Sequence, residues 1–303
     1  MVYQEKIKFF TRDNVEFKGT LRKPSNLKDC NGIVIFTHGL GYCERQYKMN
    51  WDFFSQNDYA LFTYNLRGHA GNEGVWTLDA CVEDLSEIIS FLSNKLNFES
   101  RATANIVVFG HSTGALISLL AAIKDRRIKA GTAVTTVTCL THSFLYWFKS
   151  GFNQEVKAYF TTRGILPSII NQFMDNPSML DRYRQNKIPK QELEIPHRYG
   201  MLNSKSWDHF FNEIAYSVDI FDFYKKIEIP LLLVRGENDE VMDPGKTDEL
   251  YNKLILATPS KLVITPSQNH FQNDKWDMIQ SKALNFFNDR AVIDLKKAHQ
   301  LYV

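Results

Sequence analysis

The chain has 303 residues, 44% of them hydrophobic, which suits one large globular domain or a domain that carries an insertion. Its 36 basic residues nearly balance its 34 acidic ones, and the formal net charge is +2. This balance gives no electrostatic reason to expect binding to nucleic acid or to an acidic membrane surface.

Targeting and metal-binding signals are missing from the sequence. The first residues, MVYQEKIKFFTRDN, are charged and lack the continuous apolar core of a secretory signal. The longest apolar runs are too short to span a bilayer, so we expect no transmembrane segment and a cytoplasmic location. The cysteines form no CxxC pair and show no metal-ligand spacing, which predicts reduced thiols, no metal and no cofactor. They are Cys30, Cys43, Cys81 and Cys139.

The first half of the chain alternates predicted strands with predicted helices. Two β-prone segments flank Asp13-Asn14 and are typical of an antiparallel hairpin. The apolar run GIVIFT ends at His38-Gly39, as expected of a strand buried on both faces. The spacing of apolar residues in segment 78–96 is that of an amphipathic helix. The predicted strands are 5–10, 15–22, 32–37, 59–64 and 105–109, and the predicted helices are 47–56, 78–96 and 115–123.

The alternation stops after one more predicted strand and later resumes. Segment 141–216 contains no good strand; it is rich in aromatic residues and interrupted by prolines. Strands alternating with helices predict a mostly parallel α/β sheet covered on both faces. We therefore predict an α/β core formed by residues 1–140 and 217–303, with residues 141–216 as an inserted helical cap, or lid. The remaining predicted elements are strands 133–140, 229–236 and 261–265, and helices 246–256 and 276–288.

A serine lies at one predicted junction between a strand and a helix. The residues Gly110-His111-Ser112-Thr113-Gly114 follow strand 105–109 and precede helix 115–123. The pattern G-x-S-x-G at such a junction is typical of a nucleophile elbow, a sharp turn that exposes the serine hydroxyl. Only residues with little or no side chain fit two positions either side of that serine. The pattern alone is weak evidence, but its position favours Ser112 as a nucleophile over a small residue in a tight turn.

A serine nucleophile requires a base to take its proton and an acid to orient that base. On this kind of sheet the acid and the base follow the serine, on loops after later strands. Asp239 follows the strand within segment 229–236, and His270 follows strand 261–265. Asp243 and Glu237 are alternative acids. The other histidines lie in the insertion or the tail, or precede or adjoin the serine, and so break the expected order.

An oxyanion hole requires two backbone N–H groups. One should come from Thr113, the residue after the nucleophile, at a helix N-terminus whose dipole favours negative charge. The other should come from the loop after strand 32–37, where glycines allow close approach, and Leu40 is the residue we select.

The chain resembles the α/β-hydrolase superfamily, within it the monoacylglycerol lipase and lysophospholipase-like branch, which is also grouped with the serine aminopeptidases. The resemblance implies an α/β-hydrolase fold with Ser112 as nucleophile, Asp239 as acid and His270 as base. It also implies Leu40 and Thr113 as oxyanion donors. The motifs that carry the resemblance are HGLGYCERQY (38–47), YNLRGHAGNEG (64–74), VEDLSEII (82–89), GHSTGA (110–115), RGENDEV (235–241) and QNH (268–270).

Three positions depart from the family's pattern. Where relatives usually read D-x-R-G-H-G, this chain has Asn65 for the aspartate and Ala70 for the last glycine, and Ala115 stands where glycine is common. None of these departures removes a catalytic group. They indicate a distant member of the family.

The aromatic residues of the insertion bear on the substrate. Tyr146, Trp147 and Phe148 either line an acyl- or aryl-binding pocket or bury the lid against the sheet. We expect a serine hydrolase that cleaves small-molecule carboxylic esters, acyl or aryl, through an acyl-enzyme. A thioesterase or acyltransferase with the same triad, or a ligand-binding receptor of low turnover, is the alternative. The sequence does not predict the oligomeric state.

Overall fold

A computed structural model of the protein describes residues 2–26, 30–96, 105–149, 206, 209, 218–267 and 269–300; for residues 144, 145, 147–149 and 290–300 it describes the backbone only. The strands are β1 (Val2–Phe10), β2 (Glu16–Pro24), β3 (Gly32–Thr37), β4 (Tyr59–Tyr64), β5 (Asn105–His111), β6 (Ile128–Val134), β7 (Leu231–Gly236) and β8 (Lys261–Thr265). The helices are α1 (Phe53–Gln56), α2 (Leu78–Leu96), α3 (Thr113–Lys124), α4 (Leu140–Lys149), α5 (Pro244–Leu254) and α6 (Trp276–Gln300).

The described strands form one sheet of eight, in the order β1-β2-β4-β3-β5-β6-β7-β8. The predicted hairpin, β1 and β2, is antiparallel and pairs antiparallel with β4. From β4 to β8 every neighbouring pair is parallel. The carboxyl ends of β3, β5, β6, β7 and β8 therefore share one edge of the sheet, the edge where open α/β sheets bind their ligands.

The continuous apolar runs of the central strands bury residues on both faces of the sheet. In β3, Ile33 and Ile35 pack on the face covered by α2 and α3, whereas Val34 and Phe36 pack on the face covered by α6. All residues of β3, β4 and β5 are buried. Full burial of a large apolar side chain contributes roughly 1.5–3 kcal/mol, so this three-layer core holds the strand ends in fixed positions.

Three predicted elements differ from the structure. Residues 47–52 are not helical, because the Gln280 side chain on α6 hydrogen-bonds the Asn50 backbone (3.2 and 2.9 Å) and takes the place of helix partners. The strand predicted at 133–140 overlaps β6 only at residues 133–134. β6 begins at Ile128 and ends at Val134, and Thr135 turns away with a φ of 45°. The last helix, predicted to end at residue 288, continues to Gln300.

The predicted cap lies mostly outside the described residues. The strands that flank the predicted cap in sequence, β6 and β7, pair directly with each other, with Gly131 opposite Leu231. The segment between them therefore does not interrupt the sheet. The hydroxyl of Ser206, a fully buried residue within the predicted cap, accepts a hydrogen bond from the Trp76 amide (2.8 Å). None of the helices that the structure describes is long and apolar enough to cross a bilayer.

Candidate active site

Ser112 occupies a strained turn between β5 and α3. Its φ is 56° and its ψ is −123°, a region that costs a non-glycine residue about 1–3 kcal/mol. The neighbouring backbone holds this conformation. The Ser112 amide donates to the Val134 carbonyl (2.9 Å), and its own carbonyl accepts from the Ala115 amide (3.0 Å). The predicted strand-to-helix junction is therefore present at the carboxyl end of a central strand.

The two glycines of the pattern are required by close backbone contacts. A Cβ atom on Gly110 would lie 2.4 Å from the Gly114 carbonyl oxygen. A Cβ atom on Gly114 would lie 2.2 Å from the carbonyl oxygen of Thr37 and 2.4 Å from that of His38. The elbow thus packs directly on the end of β3, and no side chain fits at either position.

Asp239 and His270 form a buried pair at the same edge of the sheet. Nδ1 of His270 lies 2.9 Å from Oδ2 and 3.1 Å from Oδ1 of Asp239, and both residues are 3% exposed. Oδ1 also accepts the amides of Val241 (2.8 Å) and Met242 (2.7 Å). Burial alone raises the pKa of the Asp239 carboxyl, but the facing His270 and these donors hold it below its ordinary value.

The carboxylate of Asp239 determines the tautomer of His270. An ionised carboxylate only accepts hydrogen bonds, so Nδ1 of His270 carries the proton and the Nε2 lone pair is free to act as a base.

The backbone of His270 is held on both sides. Its amide donates to the Glu240 carboxylate, with both oxygens at 3.1 Å. Its carbonyl oxygen lies 3.1 Å from Nε2 of His111 and accepts a longer hydrogen bond from the Thr135 hydroxyl (3.4 Å). The rings of His111 and His270 are 4.9 Å apart. Because His111 immediately precedes Ser112, this contact places His270 next to the elbow.

The loop after β3, residues 38–41, is the candidate oxyanion loop. A Cβ atom on Gly39 would lie 3.1 Å from Cβ and 3.5 Å from Oγ of Ser112, so the loop lies against the serine. Within the part of the chain that the structure describes, neither the Leu40 amide nor the Thr113 amide has a hydrogen-bond acceptor. Thr113 is the first residue of α3, where the helix dipole adds positive potential.

Two buried histidines support the candidate oxyanion loop. Nε2 of His38 accepts the Leu66 amide (2.9 Å), and Nε2 of His69 accepts the Gly41 amide (3.0 Å). Burial lowers the pKa of His38 to about 4 and that of His69 well below its ordinary value. Both rings are therefore neutral near pH 7, as their acceptor roles require.

The sequence of the chain was compared with models of known protein families. A sequence model of the family described as "Serine aminopeptidase, S33" matches residues 28–270, a span that contains the elbow, the candidate oxyanion loop and both members of the Asp239–His270 pair. The chain belongs to this family of α/β hydrolases.

Individual relatives are distant from this S33-type hydrolase. An uncharacterized abhydrolase domain-containing protein from Dictyostelium discoideum is 19% identical over 244 residues, which are 78% of this chain and 24% of that protein. The chain thus spans about a quarter of the length of that relative.

Solved structures of similar shape include two esterases. An esterase from Pyrococcus furiosus is 17% identical, with a TM-score of 0.64 over 95% of this chain and 92% of its own. A thermostable carboxyl esterase from Bacillus coagulans is 18% identical, with a TM-score of 0.63 over 95% and 99%. At these identities the likeness shows the α/β-hydrolase fold, as the sequence predicted.

Two departures from the family's pattern have visible structural consequences in this S33-type hydrolase. At Asn65, where the resemblance leads us to expect aspartate, the side-chain oxygen accepts the Glu44 amide (3.3 Å). Ala70, where the resemblance leads us to expect glycine, adopts a φ of 49°, which strains a residue with a side chain. The neighbouring Arg67 forms ion pairs with Asp84 on α2 and with Asp13, and so joins the motif 64–74 to the motif 82–89.

The alternative acids of the sequence analysis do not contact His270. The Asp243 side chain accepts the Gly245 amide at the start of α5 (2.9 Å) and faces His142. Glu237 is exposed. In the residues described, the acid that His270 contacts through its ring is Asp239.

Of the three predicted pocket residues, the structure describes the side chain of Tyr146. Its hydroxyl donates to the Asp239 carbonyl (3.3 Å), which places α4 beside the loop after β7. Burial, with nearby Asp243, raises the pKa of this hydroxyl. The side chains of Trp147 and Phe148 lie outside the described residues. No cluster of three metal-ligating side chains occurs in the part of the chain described.

Sequence reasoning missed three residues that contact the candidate site. The sequence predicts a helix at Tyr47, gives no reason to single out Glu240, and excludes His111 from the expected order because it adjoins the serine. Their contacts join segments far apart in the chain, so no local pattern marks them. The one available signal was the position of Glu240 next to Asp239.

Proposed function

We propose that this α/β hydrolase cleaves carboxylic esters of small molecules through an acyl-enzyme formed on Ser112. The observation that carries the proposal is the buried Asp239–His270 pair at the edge of the sheet where the elbow presents Ser112. A neutral imidazole oriented by a buried carboxylate is the arrangement that activates a serine hydroxyl.

The proposed reaction has two halves. Ser112 Oγ attacks the ester carbonyl while Nε2 of His270 takes its proton, and the carbonyl oxygen becomes an oxyanion held by the amides of Leu40 and Thr113. The ester bond to the alcohol breaks, and the His270 imidazolium, stabilised by Asp239, returns the proton to the leaving alcohol. Water, deprotonated by His270, then attacks the acyl-enzyme carbonyl. The bond between the acyl carbon and Ser112 Oγ breaks, His270 returns the proton to Oγ, and the acid is released.

Support for an ester substrate comes from the fold and from the cap. The Pyrococcus furiosus and Bacillus coagulans proteins of the same fold are esterases. The first helix of the inserted segment, α4, contains Tyr146, Trp147 and Phe148 and contacts the Asp239 loop. The aromatic composition of this helix favours acyl or aryl esters over polar substrates as the proposed substrate class.

The test combines a substrate panel with a fluorophosphonate probe. The panel contains p-nitrophenyl esters of graded chain length, an acyl-thioester, and an aminoacyl p-nitroanilide that reports the aminopeptidase activity of the family's description. We expect ester turnover and covalent labelling in the native protein, and loss of both in Ser112→Ala. Turnover of the thioester or the anilide in preference to the esters would replace the proposed substrate class.

A matched control is available on α3, the helix that follows Ser112. Ser118 is 1% exposed and its hydroxyl donates to the Gly114 carbonyl (2.8 Å), so Ser118→Ala removes a buried hydroxyl close to the elbow. Ser118→Ala should keep labelling and turnover. Labelling that survives in Ser112→Ala would contradict the assignment of the nucleophile.

A further inference from the structure

A chain of three hydrogen bonds links the oxyanion loop to His270. The Tyr47 hydroxyl lies 2.9 Å from the Gly39 amide nitrogen and 2.9 Å from Nδ1 of His111. Nε2 of His111 lies 3.1 Å from the His270 carbonyl oxygen. Tyr47 is 6%, His111 1% and His270 3% exposed, so these bonds are shielded from water.

The direction of every hydrogen bond in this chain is determined by chemistry. The Gly39 amide can only donate, so the Tyr47 oxygen accepts from it and the single hydroxyl proton points to His111. Nδ1 of His111 is therefore an acceptor, and Nε2–H donates to the His270 carbonyl, which can only accept. The arrangement requires a neutral His111 in one tautomer.

The surroundings keep the two side chains in these protonation states. Burial, with the neighbouring His270, lowers the pKa of His111 to about 3, and burial raises the pKa of the Tyr47 hydroxyl. Both groups thus remain neutral across the pH range in which a serine hydrolase works.

A second contact joins the same two segments. The ring of Tyr42 stacks on Phe271, with 4.6 Å between centroids and 28° between planes, and the Tyr42 amide donates to the Gly39 carbonyl (3.2 Å). Both polar backbone groups of Gly39 are thus held by residues that also contact the His270 loop, residues 269–272, directly or through His111.

We propose that Tyr47 and His111 are positioning residues that set the separation of the oxyanion loop from the His270 loop. This rests on the proposed function, in which the Leu40 amide and the His270 imidazole act on one substrate carbonyl. Neither positioning residue touches the substrate; they act through Gly39 and His270. Misplacement of reacting groups by about 1 Å costs roughly 100-fold in rate, so a hydrogen-bonded spacer between the two loops affects turnover.

Tyr47→Phe tests the role of the hydroxyl. The ring packs edge-on against Phe36 (5.0 Å) and Trp276 (5.5 Å), and phenylalanine preserves these contacts. We expect kcat to fall about 10- to 100-fold with KM nearly unchanged, because the interaction acts in the transition state rather than in substrate binding. Active-site concentration is measured with the fluorophosphonate probe, so partly unfolded protein does not count as slow enzyme.

Variants of His111 test whether glutamine preserves kcat and whether His111 and Tyr47 act together. Leucine removes both the acceptor and the donor, whereas glutamine carries one of each, so His111→Gln should retain more of kcat than His111→Leu. In the double variant Tyr47→Phe/His111→Leu the losses should not multiply, because both changes break one chain. Multiplicative losses, or equal loss in the glutamine and leucine variants, would overturn the proposal.

The matched control is Tyr64→Phe. Tyr64 is 1% exposed and its hydroxyl is 3.2 Å from Thr37 Oγ1, so this change also breaks a buried tyrosine hydrogen bond but leaves the Gly39–His270 chain intact. We expect its kcat to stay within about twofold of the native value. A native kcat in Tyr47→Phe, with labelling still dependent on Ser112, would refute the positioning role alone. If the probe does not label the native protein at Ser112, the proposed function is refuted as well.

Discussion

Asp243 faces His142 and not His270, with 3.3 Å between Oδ2 of the aspartate and Nε2 of the histidine. The second aspartate after β7 is thereby engaged with α4, and it also caps the first turn of α5. Two aspartates four positions apart thus have separate partners, and this separation can be tested by identical substitutions.

Asp239→Asn should reduce kcat by about four orders of magnitude, because an amide stabilises the wrong tautomer of His270. Asp243→Asn should change kcat little, since asparagine is also a good helix cap. Steady-state kinetics on one p-nitrophenyl ester compares the two. A larger loss in Asp243→Asn would move the acid to that position.

The specificity constant should rise with acyl chain length. If the segment with Tyr146, Trp147 and Phe148 lines the acyl site, each buried methylene contributes about 0.8 kcal/mol, roughly a fourfold gain per carbon until the site is full. The measurement is kcat/KM across p-nitrophenyl esters. Tyr146→Phe, which loses the hydrogen bond to the Asp239 carbonyl but keeps the ring, should show the same slope. A flat profile would refute the acyl pocket and leave the triad proposal intact.

Gly114→Ala should disrupt the elbow. Its new Cβ would lie 2.2 Å from the Thr37 carbonyl oxygen, so the backbone must shift, and we expect a loss of about 3 kcal/mol or more in unfolding free energy together with loss of probe labelling. Gly71→Ala is the control, because no atom lies within 4 Å of the new Cβ, and only the positive φ of Gly71 (83°) opposes the substitution. It should cost about 1 kcal/mol and keep labelling. Similar losses in the two variants would contradict the steric account.

The protein should lose stability as the pH falls below about 6.5. The pKa of His38 is lowered to about 4 in the folded protein, from an ordinary value of 6.5, so between these values the unfolded chain binds a proton that the folded chain does not. Each such histidine contributes a loss of about 1.4 kcal/mol per pH unit, which levels off below its folded pKa. The contribution of this histidine to the unfolding free energy is fully present above its pKa in the unfolded chain.

His38→Gln isolates this effect. Denaturant unfolding between pH 7 and pH 4.5 should give a shallower pH dependence for the variant than for the native protein, by about 1.4 kcal/mol per unit below pH 6. Parallel curves would show that His38 is not buried in the neutral form.

Local patterns predicted most of the sheet. The bounds of strands 32–37, 59–64 and 261–265 and of helix 78–96 agree with the structure to the residue. Continuous apolar runs that end at polar or glycine residues mark central strands, because such strands are buried on both faces. The positions of Ser112, Asp239 and His270 relative to the sheet could also be predicted, because each residue follows a strand that its apolar run identifies.

Contacts between distant segments explain what could not be predicted. Asn50 is bonded by Gln280, 230 positions away, and this partner removes the predicted helix around it. The bonds of His111 to Tyr47 and His270 span 64 and 159 positions. Propensity and periodicity describe neighbours in the chain, so they carry no information on such partners.

The positive φ of Ser112 places activity and thermal stability in opposition. Glycine adopts this conformation without the penalty that any side chain incurs, so Ser112→Gly should unfold at a higher temperature than the native protein, whereas Ser112→Ala keeps the penalty. Selection for thermal stability alone would therefore favour loss of the proposed nucleophile. A programme of directed evolution on this scaffold has to couple every stability screen to an activity readout.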